Sequence, residues 1–214
     1  MTEIKTFQVG IMSTNCYLIT DKDTNEMAIV DPGAYSSVIT DTSNAGAGNL
    51  KMILLTHGHY DHIGGVSDFL RDFPNAKVYI GEKDKICLTN DEYNLSIKMF
   101  RRRFQHFSAD ILCDGEILRL GNTEIKFMET PGHTAGSGCY IFDDKIMSGD
   151  TLFCESCGRT DFPGSSSIDI IKSLRILSQL EQDYTVYPGH DCSTTLSHEK
   201  KYNPYMRTNY EDIY

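Results

Sequence analysis

Three imidazoles and one carboxylate stand close together in the run Thr56-His57-Gly58-His59-Tyr60-Asp61-His62, directly after the compact apolar segment Lys51–Leu55. The apolar segment reads as a buried strand, so the run falls on the loop at its end. Imidazole nitrogen and carboxylate oxygen are the donors that zinc and iron accept, and a strand-end loop can turn several of them toward one point. Gly58 lacks a Cβ and is expected to allow a sharp backbone path between two ligands.

The same arrangement recurs at three later places. His133 lies in Pro131-Gly132-His133-Thr134, Asp150 in Ser148-Gly149-Asp150-Thr151 and His190 in Pro188-Gly189-His190-Asp191. Each follows a strand-like segment, and each has a glycine immediately before it. A single histidine or aspartate in a turn is more often a cap or a surface group than a ligand. Four such places together point to one metal site built by loops on a rigid scaffold. His106 and His198 lack this setting and are left out.

Between these places the pattern alternates. Ile4–Val9, Cys16–Thr20 and Glu26–Val30 read as strands, the last running into the turn Asp31-Pro32-Gly33. A short helix is expected around Ser36–Thr42, broken by the Gly-rich Asn44–Asn49. Val66, Phe69, Leu70 and Phe73 have helical spacing and stop at Pro74; Lys77–Ile80 is again strand-like. Glu82–Phe107 reads as helical or irregular. Its basic-aromatic stretch Phe100-Arg101-Arg102-Arg103-Phe104 is expected to be a solvated, partly anchored surface helix, with a cover over the site as the alternative.

In the second half, Glu116–Leu120 and Glu124–Glu129 form one hairpin through Gly121-Asn122, and Gly138–Phe142 and Lys145–Ser148 another through Asp143-Asp144. Ser167–Gln179 is an amphipathic helix with Ile168, Ile171, Leu174 and Leu177 on one side, and Tyr184–Tyr187 is the last strand. A β-rich half with helix, followed by a second of the same kind, gives an α/β fold, an αββα sandwich.

The chain has 214 residues and 40% hydrophobic content, enough for one domain over 1–214 with a substantial core. A net charge of −10 sets its surface field against phosphate backbones, so nucleic acid is not expected as a partner. No apolar run approaches the roughly 20 residues that span a bilayer. The start, MTEIKTFQVGIM, lacks the pattern of an export signal, so no membrane association and a cytoplasmic location are expected. Seven cysteines then read as reduced thiols. Cys16, Cys113 and Cys139 look like small core residues, while Cys154 and Cys157 are read as loop cysteines without redox duty.

The pattern H-x-H-x-D-H, a distant His, a distant Asp and a final His resembles the metallo-β-lactamase superfamily. The likeness extends to Asn15-Cys16-Tyr17, Asp31-Pro32-Gly33, Gly158-Arg159-Thr160-Asp161-Phe162-Pro163-Gly164 and Asn203-Pro204-Tyr205. The last two segments narrow the resemblance to glyoxalase II-like hydrolases, particularly a short bacterial type. The resemblance implies two mixed β-sheets flanked by helices and two divalent ions, zinc first, with iron or manganese as alternatives. It also implies that His57, His59 and His133 hold one metal, that Asp61, His62 and His190 hold the other, and that Asp150 bridges them. Asp31 would then accept from a ligand histidine. Arg159 would hold an anionic substrate group or tie its loop through Asp161; the tie is the preferred reading.

Such a centre makes hydroxide available from water near neutral pH, and Asp61 is expected to orient the attacking water as the catalytic residue. The expected substrate is a small-molecule thioester, with hydroxyacylglutathione as the family-level inference. No G-x-S-x-G elbow supports a serine triad. Many glyoxalase II enzymes grip glutathione with a helical C-terminal domain, whereas this chain ends at Tyr214, soon after His190. Two other readings compete. One is a mononuclear iron enzyme resembling persulfide dioxygenases, and the other a non-catalytic metal-binding interaction module.

Overall fold

Strand alternation decides the layering. In β2 (Thr14–Asp21), which follows and pairs antiparallel with β1 (Thr2–Val9), Cys16 and Leu18 point to one face and Tyr17 and Ile19 to the other, and all four are buried. A strand buried on both faces must lie in a sheet that is covered on both sides. The computed structural model, which describes residues 1–45 and 49–207, shows what covers it.

The first sheet runs β1, β2, β3 (Met27–Val30), β4 (Leu50–Leu54), β5 (Lys77–Gly81) and β6 (Asp110–Leu112) in sequence order. Its first three strands pair antiparallel and β3 to β6 pair parallel. Parallel neighbours need crossovers. They run through α1 (Ser37–Ala45) after β3, α2 (Tyr60–Ile63) with α3 (Val66–Asp72) after β4, and the segment 82–109 after β5.

The second sheet starts with the hairpins β7 (Ile117–Leu120) to β8 (Thr123–Glu129) and β9 (Gly138–Phe142) to β10 (Lys145–Gly149). A small hairpin, β11 (Leu152–Phe153) and β12 (Ser156–Cys157), stands apart. Further along, α5 (Ser167–Ser178) carries the chain back to β13 (Thr185–Pro188), parallel to β10, and β14 (Thr194–Thr195) closes the edge.

Three buried clusters fill the layers. Ile39, Phe69 and Val66 from the helices pack on Leu18, Ile29 and Ile53. Tyr17, Ile19 and Leu54 meet Ile125, Phe127 and Tyr140 between the sheets. Ile170, Ile171, Leu174 and Leu177 cover Cys139, Ile146 and Val186 outside the second sheet. This is an αββα sandwich of two mixed sheets, as the sequence pattern indicates. Asp21 ties the sheets together, accepting from Thr24 beside β2 and from Thr123 Oγ1 at 2.7 Å in the far hairpin.

The sequence reading differs from the structure in several places. The inner face of α5 begins at Ile170 and not Ile168: Ile170, Ile171, Leu174 and Leu177 share one face at helical spacing and Ile168 falls off it, while Ser166 caps the helix by accepting from Asp169 N. β6 is only three residues long, and its partly buried Ile111 carries too weak an alternation to be read. Cys113 is exposed, lying in the turn after β6 where its N–H donates to Glu116. The Arg101–Arg103 stretch is not helical. A short helix, α4 (Ser96–Phe100), ends just before it, and Arg101 takes φ +51°. The tail adds α6 (Leu196–Tyr202) and α7 (Pro204–Arg207). The expected break at Asn44–Asn49 falls largely on residues 46–48, outside the described residues. No helix among the described residues is long and apolar enough to cross a membrane.

Candidate metal centre

Four loops converge at one end of the sandwich. His57 and His59 follow β4, with His59 extended at the N-cap of α2, so Asp61 and His62 fall on the first turn of that helix. His133 lies between β8 and β9, Asp150 follows β10 and His190 follows β13. Since β10 and β13 are parallel, with Gly149 opposite Pro188, Asp150 and His190 leave the sheet side by side.

All seven residues come together. The ligand-type atoms of His57, His59 and His133 lie within 4.8 Å of one another, and so do those of Asp61, His62 and His190. Asp150 stands between the two sets, with Oδ2 3.4 Å from His133 Nε2 and Oδ1 3.4 Å from His62 Nε2. Asp61 Oδ2 approaches His190 Nε2 at 3.3 Å. The histidines are buried apart from His190, which is partly exposed.

Hydrogen bonds fix which ring nitrogen faces inward. The Thr56 hydroxyl donates to Asp31 Oδ2 at 2.7 Å, so its oxygen accepts from His57 Nδ1 at 3.1 Å and leaves His57 Nε2 without a proton. His62 Nδ1 donates to the same Asp31 oxygen at 2.9 Å. His133 Nδ1 donates to the Arg159 carbonyl at 2.8 Å. Each of these rings therefore turns its Nε2 toward the other members, the nitrogen that a ligating histidine held this way offers. Asp31 is buried and adopts φ +50°, a left-handed backbone that aspartate tolerates better than most residues.

The donors fit a cation. His57 Nε2, His59 Nε2 and Asp150 Oδ1 are buried without a hydrogen-bond partner among the described residues, a costly state for polar atoms. His59 Nδ1 and His133 Nε2 converge to 2.9 Å. Burial, with the surrounding histidines, pushes His57 well below the usual histidine range. Burial and His133 hold His59 at about 3, so both stay neutral at physiological pH. Burial opposes charge on His62 and His190 too, yet the Asp150 and Asp61 carboxylates raise both. Burial works against ionisation of Asp61 and Asp150, but the histidines beside them keep both below the ordinary carboxylate range.

Two supports were not foreseen. The first is Asp84, a buried carboxylate that accepts from Gly58 N, Gly136 N and Thr134 Oγ1, each at 2.7 Å. It ties the loop of His57 and His59 to the loop of His133; burial raises it above the usual carboxylate range despite those three bonds. The second is the pair Asn15 and Tyr17, which donate to the Pro188 carbonyl and so anchor the loop of His190. Gly58 itself has no positive φ. A Cβ there would lie 2.3 Å from Cys87 Cβ, so close packing, and not a sharp turn, is what requires glycine. Gly149 does take a left-handed φ of +49° before Asp150.

Arg159 pairs in bidentate fashion with Asp161, at 2.6 Å for both contacts, and lies 4.4 Å over the Phe162 ring. His106 stacks near Phe104 and His198 contacts Glu155, both away from the centre. Above the centre opens a cleft of about 300 Å³ whose walls include Leu95, Met99, Phe100, Phe153 and Phe162. The basic-aromatic segment therefore begins as part of the cover over the site.

The sequence model of the metallo-beta-lactamase superfamily matches residues 9–190, from the end of β1 to the last histidine of the cluster. The chain belongs to the metallo-beta-lactamase superfamily. Among relatives within it, a probable polyketide biosynthesis zinc-dependent hydrolase, PksB of Bacillus subtilis, is 35% identical over 187 residues, covering 87% of this chain and 76% of PksB. A probable metallo-hydrolase of Streptococcus pyogenes is 36% identical over 202 residues, covering 89% of this chain and 84% of its own.

Three solved members of similar shape carry related sequences. The BLEG-1 B3 metallo-beta-lactamase is 32% identical with a TM-score of 0.86, covering 96% of this chain and all of its own (100%). TTHA1623 in a di-iron-bound form is 26% identical with a TM-score of 0.81, over 94% and 99% of the two chains. ETHE1 from Myxococcus xanthus is 28% identical with a TM-score of 0.77, over 99% and 88%. Superfamily membership, the clustered donors and the hydrolase relatives together make this a metal-binding hydrolase fold with its donors at one site.

Proposed function

We propose that the chain is a two-metal hydrolase of thioesters, glyoxalase II-like in its centre, with zinc as the working metal. The observation that carries this reading is the pair of three-residue donor groups with Asp150 between them. His57, His59 and His133 would hold one ion, Asp61, His62 and His190 the other, and Asp150 would contact both. When bound, such a pair supplies a nucleophile from water at neutral pH and polarises an ester carbonyl.

The chain's own groups do the rest. Asp61 remains ionised, is partly open to the cleft, and is placed to orient water by accepting its proton in a hydrogen bond. Asp31 holds His62 directly and His57 through Thr56. The apolar walls of the cleft exclude bulk water around the reacting carbonyl. Purified protein should hydrolyse S-lactoylglutathione or another thioester, and Asp61→Ala should nearly abolish turnover while retaining the fold. Full activity in Asp61→Ala would reject its role, and inactivity of the parent on every thioester tried would reject the reaction class. A β-lactam belongs in the same panel, because BLEG-1 is a B3 metallo-beta-lactamase.

An iron-loaded centre is the second reading, since the similar TTHA1623 is known in a di-iron-bound form. The resemblance to persulfide dioxygenases through Gly158–Phe162 belongs with it. Oxygen uptake by iron-loaded protein given a persulfide separates the two.

A further inference from the structure

A thioester has two arms that diverge from its reacting carbon and sulfur, and two clefts meet at this centre. They share Asp61 and Phe100 in their linings. The first is the apolar cleft above His59, His133 and Asp150. The second, of about 340 Å³, runs past Ile11, Tyr35 and Tyr60 to Arg102.

Arg102 is one of three consecutive exposed arginines in a chain of net charge −10. Among the described residues none of Arg101, Arg102 and Arg103 has an ion pair, whereas Arg71, Arg119 and Arg159 each meet a carboxylate. The stretch is held in place on both sides. Phe100 packs on Tyr60 with ring centres 5.0 Å apart, and the buried Phe104 meets the same ring at 6.2 Å. Tyr60 precedes Asp61, so the backbone that carries the arginines is anchored beside the reacting centre. Guanidinium is the side chain best suited to clasp phosphate through paired N–H donors.

We propose that the natural substrate is a thioester with an apolar acyl arm and a thiol arm bearing a phosphate, which Arg102 grips with Arg101 and Arg103 strengthening the field. This rests on the thioester reading above and names its substrate. The first cleft takes the acyl arm, because Leu95, Met99, Phe153 and Phe162 give it an apolar wall and Arg159, a polar group on its lining beside Ser156, is already paired with Asp161. The second cleft takes the thiol arm. Glutathione would offer this cleft two singly charged carboxylates and an ammonium, and the ammonium finds Asp68 already paired with Arg71. A dianionic phosphate concentrates its charge at the Arg102 end of the cleft and carries no ammonium to be repelled, while Asp68 is neutralised by Arg71.

Hexanoyl-phosphopantetheine and hexanoyl-pantetheine, identical but for the phosphate, test this on the metal-loaded full chain. The phosphorylated ester should show a KM lower by about tenfold or more, with kcat little changed, which is the scale of one charge-assisted contact. Added salt should narrow the gap. Arg102→Ala should bring the two KM values close together, and Arg102→Lys should keep part of the difference. Hexanoyl-coenzyme A and a hexanoyl-loaded carrier protein distinguish a free from a carrier-borne phosphate, and faster turnover of either than of hexanoyl-pantetheine supports the grip.

Equal KM values for the first pair, an unchanged gap in Arg102→Ala, or preference for S-lactoylglutathione would each overturn the proposal. Binding of a non-hydrolysable phosphopantetheine thioether, measured by calorimetry, provides a readout independent of turnover. Arg102-dependent binding without hydrolysis of any thioester would refute the reaction and retain the phosphate grip. Loss of phosphate dependence with hydrolysis intact would do the reverse.

Discussion

Asp31 accepts from His62 Nδ1 at 2.9 Å, and this contact decides which nitrogen of His62 faces the other donors. The same carboxylate receives the Thr56 hydroxyl and backbone N–H, through which it also sets His57. Replacing Asp31 by Ala frees both rings to turn. Metal affinity should fall about tenfold to a hundredfold, the usual consequence of losing such a support. Competition against a chromophoric chelator measures it; affinity equal to the parent would show that the rings are held by something else.

Gly189 lies against the centre. A Cβ at this position would fall 2.2 Å from Asp150 Oδ1 and 2.6 Å from His62 Cε1. Gly189→Ala should therefore displace Asp150 or His62 and lower the metal content per chain, with a stability loss of about 1–3 kcal/mol from overpacking. Elemental analysis and urea unfolding of the same sample read both effects. Unaltered metal content would mean that the loop of His190 shifts freely.

Asp84 links two ligand loops that are remote in sequence. In Asp84→Ala the Gly58 and Gly136 N–H groups lose their acceptor inside the protein, while the Thr134 hydroxyl is left with Ser137 Oγ. Unfolding free energy should drop by about 3 kcal/mol or more, since buried donors are left unsatisfied. Asp84→Asn keeps an acceptor oxygen and should lose less. Equal stability in the alanine variant would contradict this role.

Little of this support was legible beforehand. His57, His59, Asp61, His62, His133, Asp150 and His190 stood out because each follows a strand signal and four of them follow a glycine, local features that one sequence displays. Asp84 sits in Glu82-Lys83-Asp84-Lys85, where it looks like one more surface charge. Its burial depends on backbones 26 and 52 positions away, which no local pattern reports. The clefts escaped notice for the same reason, since Phe153 and Phe162 face Leu95 and Met99 only after the sheets have packed. The sandwich itself was readable, because two rounds of strands and helices, each with doubly apolar strands, leave few other ways to cover both faces.

Asp21 contributes to the response to acid away from the centre. Burial would raise it, but hydrogen bonds from Thr123, Thr24 and Asp23 hold it at about 2, below the ordinary 3.8. Its folded value is depressed, so its stabilisation is fully present above about pH 3.8 and is lost as pH falls through about 2. Asp21→Asn should be less stable than the parent at neutral pH, with the gap closing as the pH approaches 2. Urea midpoints of the metal-free proteins across that range read it, and a gap independent of pH would contradict the assignment.

Titrating metal-free protein with zinc, while following bound metal and thioester hydrolysis together, bears most directly on the centre. Activity should be absent at the start, rise with loading and level off at about two ions per chain, the number a paired hydrolytic site requires. His133→Ala and His190→Ala should each lower that plateau. Hydrolysis by the metal-free chain, or zinc binding unaffected by both substitutions, would contradict a hydrolytic centre formed by these loops.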